Sequence, residues 1–136
     1  MKRLLIAFIG ICLSVSSDAV PAVVDYVIDG DTFAAAVSLD DDISVTVRVR
    51  LLNIDAPEIN GSCVYEIEMA HRAKDRLSKI LGAGDMVDLR NIKDDKYLGR
   101  IDANVILSDG RDVGDVLVDE NLARPYDGGK RLPWCK

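Results

Sequence analysis

From Ile43 to Ile54, apolar Ile43, Val45, Val47, Val49 and Leu51 alternate with Ser44, Thr46, Arg48 and Arg50. A period of two sends successive side chains to opposite faces of an extended strand, so one face is made for a core and the other carries Arg50. Residues 23–28 and 32–39 are also strand-like, and the turn-forming pair Asp29-Gly30 between them predicts a hairpin. Asp40-Asp41-Asp42 reads as the polar turn leading into the alternating strand, and residues 53–62, with proline, glycine and acids, read as a loop.

Beyond that loop the period changes. Ile67, Ala70, Ala73, Leu77 and Ile80 or Leu81 recur at helical spacing, and Gly82 and Gly84 supply a stop. Residues 85–92 and 99–107 read as two further strands, after which Asp112 caps a short helix with Val113, Val116 and Leu117 inward, ending near Asn121. The expected fold class is mainly β with helices (α+β). Five strands, a helix between the third and fourth, and a short C-terminal helix match a five-stranded Greek-key barrel of the OB type. A chain of 136 residues, 49% apolar, has room for one such domain and a single core.

The first residues are of another kind. Lys2 and Arg3, the apolar run from Leu4 to Leu13, and Ser17-Asp18-Ala19 have the charge, apolar and small-residue order of a secretory signal, giving a signal peptide over residues 1–19 and a domain over 20–136. The apolar run falls well short of the ~20 residues that span a bilayer as a helix. Cleavage, export to the periplasm or the medium, and no stable membrane association afterwards are therefore expected. Cys12 leaves with the signal, and Cys63 and Cys135 remain as an even pair in an oxidising compartment. One disulfide is the simplest outcome, two free thiols the alternative; two cysteines and the lone His71 do not make a four-ligand zinc site.

Removing residues 1–19 takes basic residues from 17 to 15 and acidic ones from 23 to 22, a formal net charge of 15 − 22 = −7. Binding nucleic acid along a broad basic face rests on neutralising many phosphates, so a polyanion handled here is gripped locally.

Acidic residues stand at turns, away from core periodicity: Asp29 and Asp31 in the first hairpin, Asp55 and Glu58 after the alternating strand. Singly, each is a common turn residue. Together with Arg50 at the end of that strand, they suit a hard cation, which takes oxygen ligands. With one histidine in the chain, schemes that need paired histidines are excluded.

Ile28-Asp29-Gly30-Asp31-Thr32, followed about 18 residues later by Arg50-Leu51-Leu52-Asn53-Ile54-Asp55-Ala56-Pro57-Glu58, resembles the signature of the staphylococcal nuclease (thermonuclease) family. Asp95-Lys96-Tyr97-Leu98-Gly99-Arg100 is similar to a third block of that family, and the segment from Asp109 to Arg124 to the one that follows. The resemblance covers about residues 23–126. It implies that Asp31 and Asp55 bind Ca2+ through carboxylates and Ala56 through its main-chain carbonyl. It further implies that Glu58 is the general base, that Arg50 and Arg100 clamp the scissile phosphate, and that Lys96, Tyr97 and Tyr126 hold the neighbouring nucleotide. The ending from Gly128 to Cys135 resembles short exported members, in which cysteines matching Cys63 and Cys135 suit pairing.

The sequence departs from the family pattern in places. Ala56 replaces a threonine, which a main-chain ligand tolerates. Leu98 is an extra residue, so Arg100 reaches its place only if the turn absorbs it. Asp102 stands where many relatives are apolar. His71 is read as a solvated helix-face residue and Trp134 as packing the tail rather than stacking on a base.

The expected function is thus a calcium-dependent nuclease acting on DNA and/or RNA with little sequence preference, as a monomer. The alternative is a non-catalytic OB-fold nucleic-acid-binding module, which has no need of Glu58 as a base. A calcium-binding structural domain leaves Arg50 and Arg100 without a role.

Overall fold

The computed structural model describes residues 19–136, so the expected signal over 1–19 lies outside the described residues except for Ala19. Five strands close a barrel: β1 (Val20–Asp29), β2 (Thr32–Ser38), β3 (Ser44–Leu51), β5 (Met86–Asp94) and β6 (Arg100–Ile106), in the order β1-β2-β3-β6-β5. Its neighbours are antiparallel except for β3 and β6, which run parallel. Helix α1 (Val64–Ile80) lies between the third and fourth barrel strands, and α2 (Val113–Asp119) follows the barrel. This is the expected α+β, OB-type architecture.

The alternation in β3 does what its period requires: Val49 and Leu51 are buried while Arg48 stays exposed. Phe33, Val24, Leu89 and Val105 join them from the other strands, and Leu77 and Leu117 close the core from the two helices. Removing such side chains from water contributes about 1.5–3 kcal/mol each. On α1 the buried stripe is Glu66, Ala70, Ala73 and Leu77, at helical spacing but beginning with an acid. The expected cap of α2 is present, the Asp112 side chain accepting from the Asp115 N–H at 3.1 Å.

Element bounds differ from expectation where pairing overrides pattern. β1 starts at Val20 because Val20 to Val23 pair with β5. Asn53 adopts the left-handed conformation (φ 64°), which ends β3 before Ile54. The chain then forms β4 (Ile54–Asp55), a short strand paired with β7 (Arg124–Pro125). That pairing, with the Tyr126 N–H donating to Asn53 O at 2.9 Å, folds the C-terminal tail back onto the barrel. Cys63 and Cys135 are joined as a disulfide, their Cα atoms 5.9 Å apart, which fastens the end of that tail to the start of α1.

Candidate active site

A cleft of about 600 Å³ opens where the first hairpin, the end of β3, the β5–β6 turn and the tail meet; Asp31, Arg50, Glu58, Tyr97, Arg100 and Arg131 are among its lining residues. The hairpin turn is set by an Asx turn, the Asp31 N–H donating to Asp29 Oδ1 at 3.1 Å. Gly30 in that turn is buried, and a Cβ there would lie 2.7 Å from the Ala73 side chain, so the close seat of the hairpin on α1 demands glycine. Asp31 is thereby held in the wall of the cleft, 3.8 Å from Arg50 Nη2. Burial, and then the adjoining Asp29 carboxyl, push Asp31 up to about 7, with Arg50 pulling the other way.

The two arginines come from neighbouring strands. Parallel pairing sets Arg48 opposite Arg100 and Arg50 opposite Asp102, so even-numbered residues of β3 and β6 share one face. The extra Leu98 is absorbed by the turn: the residue is 99% exposed, and Gly99 takes a φ of 77°. Arg48 N–H bonds to Gly99 O at 3.0 Å, which keeps Arg100 in register with β3. Arg100 stands over the Tyr97 ring, 4.6 Å from its centroid. Its Nε lies 3.0 Å from Asp95 Oδ2, yet it is buried and not aligned for a hydrogen bond, and Asp102 Oδ1 is likewise without a partner.

Asp95 and Asp102 are pushed in opposite directions. Burial, the hydrogen bond to Asp95 and its charge raise Asp102 to about 6 against the pull of Arg50 and Arg100. For Asp95, burial is outweighed by the hydrogen bonds of Asp102 and the Tyr97 N–H and by the Arg100 guanidinium beside it, which lower it to about 2.

Of the expected residues, Asp31, Arg50, Glu58, Lys96, Tyr97, Arg100 and Tyr126 all line the cleft. Asp55 and Ala56 do not line it; both are buried, and Asp55 borders an adjacent pocket formed with Arg124, Tyr126 and Lys130. The link between them and the cleft is Arg131. Its Nε lies 2.8 Å from Asp55 Oδ1, its Nη1 2.9 Å from Glu58 Oε1, and its Nη2 donates to Ala56 O at 3.4 Å. Burial, which alone would lower the Arg131 pKa, is outweighed by the hydrogen bond and charge of Asp55 and the charges of Glu58 and Glu66, so it is raised. Trp134 is buried, as its packing role required, and its Nε1 donates to the second oxygen of Asp55 at 3.3 Å. Tyr126 is turned to the tail, its hydroxyl donating to Gly129 O at 2.7 Å.

Among the described residues no three acidic, histidine or cysteine side chains form a ready cage. The donors nevertheless fit a hard cation. Asp55 Oδ1, Ala56 O and Glu58 Oε1, all of them oxygens, converge on one positive group, the Arg131 guanidinium. Asp31 adds a further carboxylate from the cleft wall.

Two residues of the site were missed by sequence reasoning. Glu66 accepts from the Glu58 N–H at 3.0 Å and the Ser62 N–H at 3.4 Å, and so shapes the loop that presents Glu58. Its signal was available: an acid one helical turn before Ala70 on the buried stripe of α1. Arg131 carries no local signal, because it arrives through the tail and the disulfide.

The barrel and its charged cleft define an OB-type domain whose basic and acidic groups are gathered at one mouth. Residues 48–131, more than half of the chain, match the family model described as staphylococcal nuclease homologue, and the chain belongs to that family. It is also 31% identical over 111 residues to endonuclease YhcR of Bacillus subtilis (strain 168), a match that covers 76% of this chain and 9% of that protein.

Proposed function

We propose that this member of a nuclease family hydrolyses phosphodiester bonds of DNA and/or RNA with Ca2+ as cofactor, with little sequence preference, as a monomer exported to the periplasm or medium. The observation that carries the reading is the meeting of Arg50, Arg100, Glu58 and Asp31 in one cleft. A phosphodiester repels nucleophiles, and charge grows on its equatorial oxygens as the bond to phosphorus forms. Planar guanidinium groups from two adjacent strands suit those oxygens. Preorganised donors of this kind are typically worth ~10²–10³ in rate.

Glu58, 57% exposed at its side chain, is reachable by water; it takes the proton of the attacking water as that oxygen bonds to phosphorus, the bond to the leaving oxygen breaks, and the leaving oxygen takes a proton from solvent. Asp31, Asp55 and the Ala56 carbonyl would hold Ca2+, which when bound supplies Lewis acidity and orients water. Lys96, Tyr97 and Tyr126 line the same cleft and suit a nucleotide next to the cut. Such a local grip agrees with the acidic net charge. A binding module has no use for an exposed carboxylate in the same cleft as two arginines.

The test is digestion of single-stranded DNA by the purified protein. Cleavage with calcium, arrest by a chelator, and a loss of ~10²–10⁴ in rate for Glu58→Gln are expected, with the circular dichroism of the variant unchanged. Binding of DNA without any cleavage by the unaltered protein would replace this reading with that of a binding module.

A further inference from the structure

The C-terminal tail is pinned at many points around one residue. Arg124 lies over the Trp134 ring at 3.7 Å and bonds to Pro133 O at 3.1 Å, Tyr126 holds Gly129 O, and Cys135 is covalently fixed to Cys63. Between these anchors Arg131 reaches inward to Asp55, Ala56 O and Glu58. It is the one basic side chain within ion-pair reach of either Asp55 or Glu58 among the described residues.

We propose that Arg131 is a positioning residue of the site: it holds Asp55 and Glu58 together in the metal-free protein, and it competes with the divalent cation for their oxygens. The inference rests on the reading of Asp55 and Ala56 as cation ligands given above. The physical argument is direct. A carboxylate with 6% side-chain exposure is unfavourable without a counter-charge, and the guanidinium supplies it. A second cation added beside the first meets its repulsion, so the divalent ion binds well only as Arg131 withdraws from those oxygens. The disulfide and the Trp134 contact keep the tail at high effective concentration, so Arg131 withdraws without leaving the cleft. Its 41% exposed side chain has room on the solvent side to do so. By linkage, metal and tail arginine each weaken the other's hold to the same degree.

The test measures metal binding apart from catalysis. Trp134 is the lone tryptophan and donates to Asp55, so its emission reports on that carboxylate in the full chain. Calcium titrations followed by this emission and by calorimetry are expected to give tighter binding for Arg131→Gln by about tenfold, within the usual span of site-to-site coupling. Arg131→Lys, which keeps the charge, is expected to stay near the unaltered affinity. Thermal melts without calcium show that each variant is folded. Equal or weaker calcium binding by a folded Arg131→Gln protein overturns the competition and leaves Arg131 a strut. No calcium binding by the unaltered protein overturns the metal reading together with this one.

Discussion

Asp102 shows how a single side chain links the cleft to solution conditions. It faces Asp95 and lies near Arg50 and Arg100, with a pKa raised to about 6. A carboxyl whose folded value exceeds its unfolded value of about 3.9 binds its proton more tightly when folded, so its stabilising effect is full below pH 4 and is lost as pH climbs through 6. Asp31, raised to about 7, acts with the same sign. The metal-free protein should therefore lose stability between pH 4 and pH 7. Asp102→Asn should flatten that fall, as urea midpoints across the range will show; an equal fall in the variant would assign all of it to Asp31 and other groups. Much of the residue-level site was legible. Asp31, Arg50, Glu58 and Arg100 sit at turns and strand ends with spacing that a barrel mouth brings together, and the cleft contains them all. Arg131 was not legible: the pairing of Cys63 with Cys135 could be read, but not the path of the tail that brings Arg131 to Asp55 and Glu58. Glu66 was half legible: its place on the buried stripe could be read, but its partners are main-chain N–H groups that no pattern displays.

At the scale of elements, the hairpin and the helix meet at one point of close approach. Gly30 was readable as a turn residue. Its closer constraint is the neighbouring helix, for a Cβ at position 30 would stand 2.7 Å from Ala73 Cβ and 3.4 Å from Ala56 Cβ. Ala73 sits on the backbone of α1 and cannot swing aside. Gly30→Ala should thus push the β1–β2 turn off α1, with overpacking of this sort costing about 1–3 kcal/mol. Because Asp31 is next in the chain, activity should fall further than the melting temperature implies. Thermal melts and digestion rates measured side by side check this, and a variant that matches the unaltered protein in both would show that the turn relaxes freely. Strand and helix identities followed from their periods, which is why β3 and α1 fall where alternation and helical spacing put them. The β4–β7 pair could not be read, since strands of two residues carry no period. Their pairing is set by the left-handed turn at Asn53 and by the return of the tail.

For the molecule as a whole, the Cys63–Cys135 bond has two separable effects. Natively it fastens the tail that carries Arg131 and Trp134 to the site. Unfolded, it closes a loop with a sequence separation of 72, which contains α1, β5, β6 and α2 while leaving the first three strands outside. The chain-entropy argument gives about 4 kcal/mol for a loop of that size, an upper figure where the unfolded chain keeps structure. For a domain of this length that loss corresponds to a fall in Tm of roughly 10 °C or more. The double variant Cys63→Ser with Cys135→Ser should show it, and the denaturant slope tells where it originates. If the bond acts mainly by restricting the unfolded chain, its removal lets that chain expand and expose more surface, so the m value in urea rises as the midpoint falls. A lower midpoint with an unchanged m would place the effect in the native tail contacts instead. The barrel core contributed by Phe33, Val49, Leu89 and Val105 does not depend on the tail, so the double variant is expected to keep its native circular dichroism below the new midpoint.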